Sequence, residues 1–400
     1  MNLENMKKLL SKNLVIVSLL HLLVDLISAG SIIMAYTADR IDFEYFEYIF
    51  LVYNCTAFLL QPFFGFLVDK IKQEKLRSTL KALTILSIGI LTLGFTSLVF
   101  SIEFSSFLTP VFISTILLGS SNALFHVIGG KESLLVSTKA TPGGIFVSTG
   151  AIGIGIASMM GNIPLTTFYQ IFIILGAVTL AIVLSFLYLF SKEEPELLFY
   201  ETYENKNISF LIIIVVLLCV AIAVRSFLGF YAKMSDDLSS WEALLLLSIA
   251  AFVGKAIGGI ILDLAGPYFL IIISTILSTV LSFFLSISYL DYIFVISFNM
   301  LMPLTLDALR KIFPNKEGFA FGLAAGFLIP GFLLGSILKH SVSHVIVVPL
   351  ICFLTGLSLL IVYILKGKIK NDTRNNWINW MCSSYYDHWI SSTFSTKSKR

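Results

Sequence analysis

Apolar positions along the chain come in long stretches of about 20, the length of helix that crosses about 30 Å of hydrocarbon, each bounded by charged or turn residues. Twelve such stretches are predicted as helices, beginning near Asn13, Glu44, Lys81, Phe107, Thr141, Thr166, Ile208, Ser240, Pro267, Tyr292, Gly318 and His344. The connectors are mostly short, as antiparallel neighbours require. The longest, 191–209, is charged and carries Pro195 between Glu194 and Glu196, so it divides the helices six and six. The expected fold is an all-α polytopic membrane protein of twelve transmembrane helices in two pseudo-symmetric bundles. These bundles span 1–190 and 210–368, with a cytoplasmic linker over 191–209 and a cytoplasmic tail over 369–400.

Lys7, Lys8 and Lys12 ahead of the first stretch, with small residues at Ser28 to Gly30, resemble a cleavable signal. His21 and Asp25 interrupt its apolar centre, so the stretch is read as the first membrane helix.

Composition narrows the function. The chain is 57% hydrophobic and 13% charged, whereas soluble domains run about 45–50% and about 25%. A soluble enzyme is thereby excluded. The net charge is only +3 and the basic residues sit in connectors, leaving no basic face for nucleic acid. The lipid bilayer is the partner. Of the 27 Lys and Arg, Arg40, Lys233 and Lys339 fall on one side, Arg225 and Lys255 fall within helices, and the rest fall on the other side. By the positive-inside rule both termini are cytoplasmic and the location is the cytoplasmic membrane. Cys55, Cys219, Cys352 and Cys382 stand alone without CxxC spacing, so neither a disulfide nor a metal or redox centre is expected.

Gly65 and Asp69 end the second helix, and Gly259 and Asp263 end the eighth with the same Gly-x-x-x-Asp spacing. Recurrence at corresponding helix ends points to duplicated halves, a common transporter plan.

Several residues carry chemistry. His21 and Asp25 lie four apart on one face of the first helix, with Asp25 near the bilayer centre. An ionised carboxylate there costs about 2.5–3.5 kcal/mol on insertion scales and faces the bundle interior or a wet cavity. Proton coupling is the functional reading, and a structural hydrogen bond between helices is the plainer one. Arg225 and Lys255 are candidate substrate contacts, with snorkelling or structural pairing as the alternative. Such cations opposite a carboxylate would suit an amphiphilic or anionic solute. Asn54 and Gln61 of the second helix are further candidates for substrate binding. Gly65, Asp69, Lys70 and Asp263 read as a gate, with Asp69 accepting hydrogen bonds from a helix N-terminus or pairing with Arg across the seam. His126 is placed near the end of the fourth helix, as a proton relay or a hydrogen-bonding group. That placement keeps it from converging with His21 and Asp25. His340 and His344 have i, i+4 spacing and are read as a solvated turn. Pro330-Gly331 predicts a kink in the eleventh helix, and Thr141-Pro142 a helix start with Thr as the cap. Trp377, Trp380 and Trp389 suggest an interfacial or disordered tail.

Gln61-Pro62-x-x-Gly65-x-x-x-Asp69-Lys70 resembles the loop 2 to 3 signature of the major facilitator superfamily. His21-x-x-x-Asp25, Leu118-Gly119-x-x-x-x-x-Phe125-His126, and Ile145-Phe146 with Gly150 and Gly153 resemble its fosmidomycin-resistance type, over residues 13–160. The resemblance implies a polytopic carrier, commonly a proton-coupled exporter of drugs or small metabolites. It implies roles for His21, Asp25, Gln61, Gly65, Asp69 and His126 only. Ala157-Ser158 stands where those exporters usually carry Gly-Pro, which leaves the direction of flux open. The expected activity is therefore alternating-access export of a small organic solute coupled to protons, by a monomer without a cofactor. Proton symport uptake and transport of a divalent metal or an anionic metabolite are the alternatives. No GxxxxGK[ST], HExxH or GxSxG is present to support ATP drive or hydrolysis.

Overall fold

Backbone polar groups in hydrocarbon must bond within their own segment, so the apolar stretches fold as helices. The computed structural model describes residues 11–37, 43–104, 108–191, 208–231, 240–285, 287–338 and 346–365. Among these, α1 spans Lys12–Thr37, α2 Phe43–Val68, α3 Gln73–Phe104, α4 Leu108–Leu135, α5 Thr141–Asn162 and α6 Thr167–Leu189. There follow α7 Ile208–Tyr231, α8 Trp241–Leu281, α9 Ser288–Asn299, α10 Met302–Ile312, α11 Glu317–Gly326, α12 Leu328–Leu338 and α13 Ile346–Leu365.

Eleven helices are long and apolar enough to cross a membrane among the described residues. One of them, Trp241–Phe284, has 44 residues, about 66 Å at 1.5 Å per residue and twice the hydrocarbon thickness. It holds two crossings, because Gly266 breaks the helix at φ 81° just before Pro267. An L side chain rarely adopts that backbone, and Pro267 starts the next span with its φ already set. The predicted twelve crossings are therefore present.

Prolines place the other interruptions. A proline ring clashes with the carbonyl four residues earlier. Four residues before Pro303 is Asn299, the last residue of α9, and four before Pro330 is Gly326, the last of α11. The kink expected at Pro330-Gly331 is thus found at Phe327. The third helix also starts earlier than expected, at Gln73 rather than Lys81. Glu74 in its first turn favours the positive end of the helix dipole, and Arg77 pairs with buried Glu132 of α4 at 2.6 Å.

The first half packs α1 on α5 and α6, α2 on α4, and α3 on α4 and α6. In the second, α8 packs on α9 and α10, and α12 on α7. Two long seams join the halves, α5 on α8 and α2 on α11. Call the end of the bundle where α2 terminates the latch end. There α1 begins, tied by Asn13 to Ser191 at 2.6 Å, and α4 ends, held at Leu134 by Arg310 of α10 at 3.2 Å.

Most of the linker, the tail with its tryptophans, His340, His344, Arg40, Lys233, Lys339 and Cys382 lie outside the described residues.

Candidate functional site

Two polar centres and a pair of latches organise the interior. The first centre lies in the first half, where α1 supplies His21 and Asp25, and α4 supplies Asn122 and His126. The sequence expectation that His126 stands apart is corrected here. Helix α4 does not stop at Gly129-Gly130 but runs on to Leu135, leaving His126 about 13 Å inside its end at 1.5 Å per residue. The ligand atoms of His21, Asp25 and His126 all lie within 4.8 Å of one another. The three residues are 3%, 5% and 9% exposed.

Hydrogen bonds orient both imidazoles. Nδ1 of His21 sits 2.7 Å from the carbonyl of Phe146, and Nδ1 of His126 sits 2.8 Å from that of Asn122. Carbonyls only accept, so both Nδ1 atoms carry protons. The two Nε2 atoms are 2.8 Å apart. That is a hydrogen-bond distance, with the donor set by which ring carries the proton. Asp25 lies beside both rings, with Oδ2 3.3 Å from Nε2 of His21 and Oδ1 3.4 Å from Nε2 of His126. Asn122 Nδ2 donates to Asp25 Oδ1 at 2.9 Å. The cluster is buried and internally paired. Gly150 of α5 makes room for it: a Cβ there would collide with Asp25 Oδ2 and His21 Nε2.

The second centre lies in the other half. Arg225 of α7 and Lys255 of α8 line a cavity of about 400 Å³ with Asn299 of α9, Met302 of α10 and Leu328 of α12. Arg225 does not snorkel: it is 8% exposed and its Nη1 is buried without a hydrogen-bond partner. Lys255 shares the cavity wall with Arg225, and the carbonyl of Lys255 lies beside Gly144 of α5. The histidine–aspartate cluster itself is not part of the cavity lining.

Gln61 and Asn54 lie elsewhere. Each donates to a carbonyl of its own helix, Gln61 to Ala57 and Asn54 to Phe50, both at 2.8 Å, and neither lines the cavity.

The two aspartates of the repeat meet the halves crosswise. Asp69 accepts from the backbone N–H of Gly318 at 3.0 Å and of Phe319 at 2.7 Å, at the start of α11. Asp263 accepts from Ala140 at 2.9 Å and Thr141 at 2.8 Å, at the start of α5. Both place a carboxylate on the positive end of a helix belonging to the opposite half. Thr141 therefore does not cap its own helix. Ala140 is the cap residue, and the Thr141 hydroxyl donates to Asp263 at 2.5 Å. Gly65 lets the α2–α11 seam close, since a Cβ would strike the Gly318 carbonyl. Lys70 stands off the seam, exposed, 4.2 Å over the Phe66 ring.

Sequence reasoning missed the cations of the seam. Lys131 reaches Asp69 at 2.6 Å and Glu317 at 3.1 Å, and so is the partner of Asp69 where an Arg was one of the expectations. Arg310 donates to the carbonyls of Leu134, Ser137 and Thr138 and pairs with Asp307 at 2.5 Å. Sequence placed both among solvated connector charges.

No known family profile and no curated protein matches this chain. Solved structures do. The Escherichia coli fucose:proton symporter FucP, in a variant with one asparagine replaced by alanine, aligns at TM-score 0.63 and 11% identity, over 90% of this chain and 99% of that one. FucP in the outward conformation aligns at 0.60 and 13%, over 90% and 99%. The human organic anion transporter MFSD10 aligns at 0.58 and 11%, over 88% and 99%. At such identity the likeness is one of fold, and the fold is that of the major facilitator transporters.

Proposed function

We propose that this protein is a secondary active transporter that moves a small organic solute by alternating access, coupled to protons through His21, Asp25 and His126. The observation that carries the reading is a pair of imidazoles with Nε2 atoms 2.8 Å apart beside a carboxylate, buried together in an apolar bundle, an arrangement suited to holding one shared proton. Removing that proton would leave a bare carboxylate in low dielectric and two Nε2 lone pairs facing each other. Loading and unloading therefore require a rearrangement that admits water, which is what rocking of two halves supplies. The fold supports the same reading, and FucP, which shares it, is a proton symporter.

Export is the direction we assign, on the resemblance of residues 13–160 to the fosmidomycin-resistance type. The latch end is assigned to the cytoplasm, with both termini, in the cytoplasmic membrane. With both latches made, the protein would then be closed inward. The halves move as bodies over 1–190 and 210–368, within one monomer, about the linker 191–209.

A divalent cation is the second reading, because each imidazole offers Nε2 while its Nδ1 holds a carbonyl, the usual setting of a metal-bound histidine. Distance decides against it. Two nitrogens bound to one tetrahedral ion at about 2.0–2.1 Å stand about 3.3 Å apart, whereas these stand at 2.8 Å, the spacing of a shared proton.

Vesicles with an imposed pH gradient test the proposal. Gradient-driven solute movement is expected in the native protein and not in Asp25→Asn, with the variant still monodisperse in detergent. Full gradient-driven transport by Asp25→Asn refutes the coupling assignment.

A further inference from the structure

The cavity of the second half holds a buried cation without a partner among the described residues. Arg225 is buried, its Nη1 has no hydrogen-bond partner, and Lys255 joins it on the same wall. Among the described residues neither cation forms a hydrogen bond or an ion pair. Buried charges are ordinarily paired, because desolvation without a counter-ion is strongly unfavourable. Asp25 already faces two imidazoles and accepts from Asn122. It cannot also neutralise two cations. Among the described residues no other carboxylate faces these cations, which leaves the site open to an anionic ligand.

We propose that Arg225 and Lys255 bind the carboxylate or equivalent anionic group of an amphiphilic organic anion, which is the transported solute. The volume of about 400 Å³ lies within the range of about 300–1,000 Å³ found for small-molecule sites. Leu228, Leu247, Phe294, Phe298 and Met302 supply an apolar wall for the body of such a molecule. Arg presents a planar fork suited to two carboxylate oxygens, and Lys adds a point charge. The inference rests on the transporter reading and names the class of its solute.

Purified full-length protein in detergent and low-chloride buffer is titrated with benzoate, its neutral amide benzamide, and chloride, following the thermal midpoint. Benzoate raises the midpoint in a saturable way, whereas benzamide and chloride do not at the same concentration. Arg225→Gln weakens the benzoate response about tenfold or more, the loss of one charge-assisted pair, and Lys255→Gln weakens it by less. Arg225→Lys retains part of it, which separates lost charge from lost folding. Equal stabilisation by benzamide, a response to chloride as large as to benzoate, no response to benzoate, or an undiminished response in Arg225→Gln each overturns the proposal. Asp25→Asn separates the two readings. If it keeps the benzoate response but loses gradient-driven transport, both stand. If the native protein shows gradient-driven transport of other solutes without a benzoate response, the anion site alone falls. A benzoate response without any effect of a pH gradient leaves the anion site standing and removes the proton coupling.

Discussion

The two polar centres sit in the two halves of the chain and are built on opposite principles. In the first half, His21, Asp25, His126 and Asn122 satisfy one another. In the second, Arg225 and Lys255 line a cavity with no counter-charge of their own. A closed circuit of hydrogen bonds suits the storage of one small ion. An unpaired cation at a cavity suits capture of something larger and negative. The difference teaches that polar satisfaction separates what the two interiors can do.

Substitutions of opposite sign test this contrast most strongly. Asp25→Ala strands a buried imidazolium and is expected to lower stability by about 3–5 kcal/mol, as breaking a buried ion pair does. Arg225→Met removes a charge that has no partner and is expected to raise the stability of the ligand-free protein by about 1 kcal/mol or more. Thermal midpoints in detergent read both. If Arg225→Met loses stability as Asp25→Ala does, the two centres are not opposites.

Packing offers a second contrast. Gly150→Ala pushes a methyl into Asp25 and His21, for an expected cost of about 1–3 kcal/mol. Gly229→Ala at the cavity meets no atom within 4 Å, and replacing a helical glycine there should be neutral or stabilising by up to about 1 kcal/mol. The same midpoints check the pair, and equal losses would mean the cavity is as tightly filled as the cluster.

The latches give the smallest effects. Asp263→Ala removes a helix cap, worth about 0.5–2 kcal/mol. Asp69→Ala removes a cap and also one partner of Lys131, so it should exceed Asp263→Ala. Spin-label distances across the latch end should shift toward wider separations in both variants, more so for Asp69→Ala. An unchanged distribution in Asp69→Ala would sink the gate assignment.

Much of the fold was legible because membrane helices announce themselves by length and apolarity. Even the interruptions obey local rules, as Pro303 and Pro330 show by ending helices four residues upstream. Gly65, Asp69 and Asp263 were legible as a group because the spacing repeats. What stayed hidden depends on how helices cross. His126 meets His21 because α4 runs on past two glycines and lies against α1, and no local pattern encodes that approach. Lys131 and Arg310 look like connector charges until the facing half brings Glu317, or the carbonyls that follow α4, within reach. The absence of a partner for Arg225 is likewise invisible in a one-dimensional string.

Neither repeat aspartate serves the half that carries it. Asp69 of the first half holds the start of α11, and Asp263 of the second holds the start of α5. The handclasp is reciprocal, each half carrying the carboxylate that seats a helix start of the other. The same geometry implies that the halves, made as two separate polypeptides, still carry the instructions for finding each other.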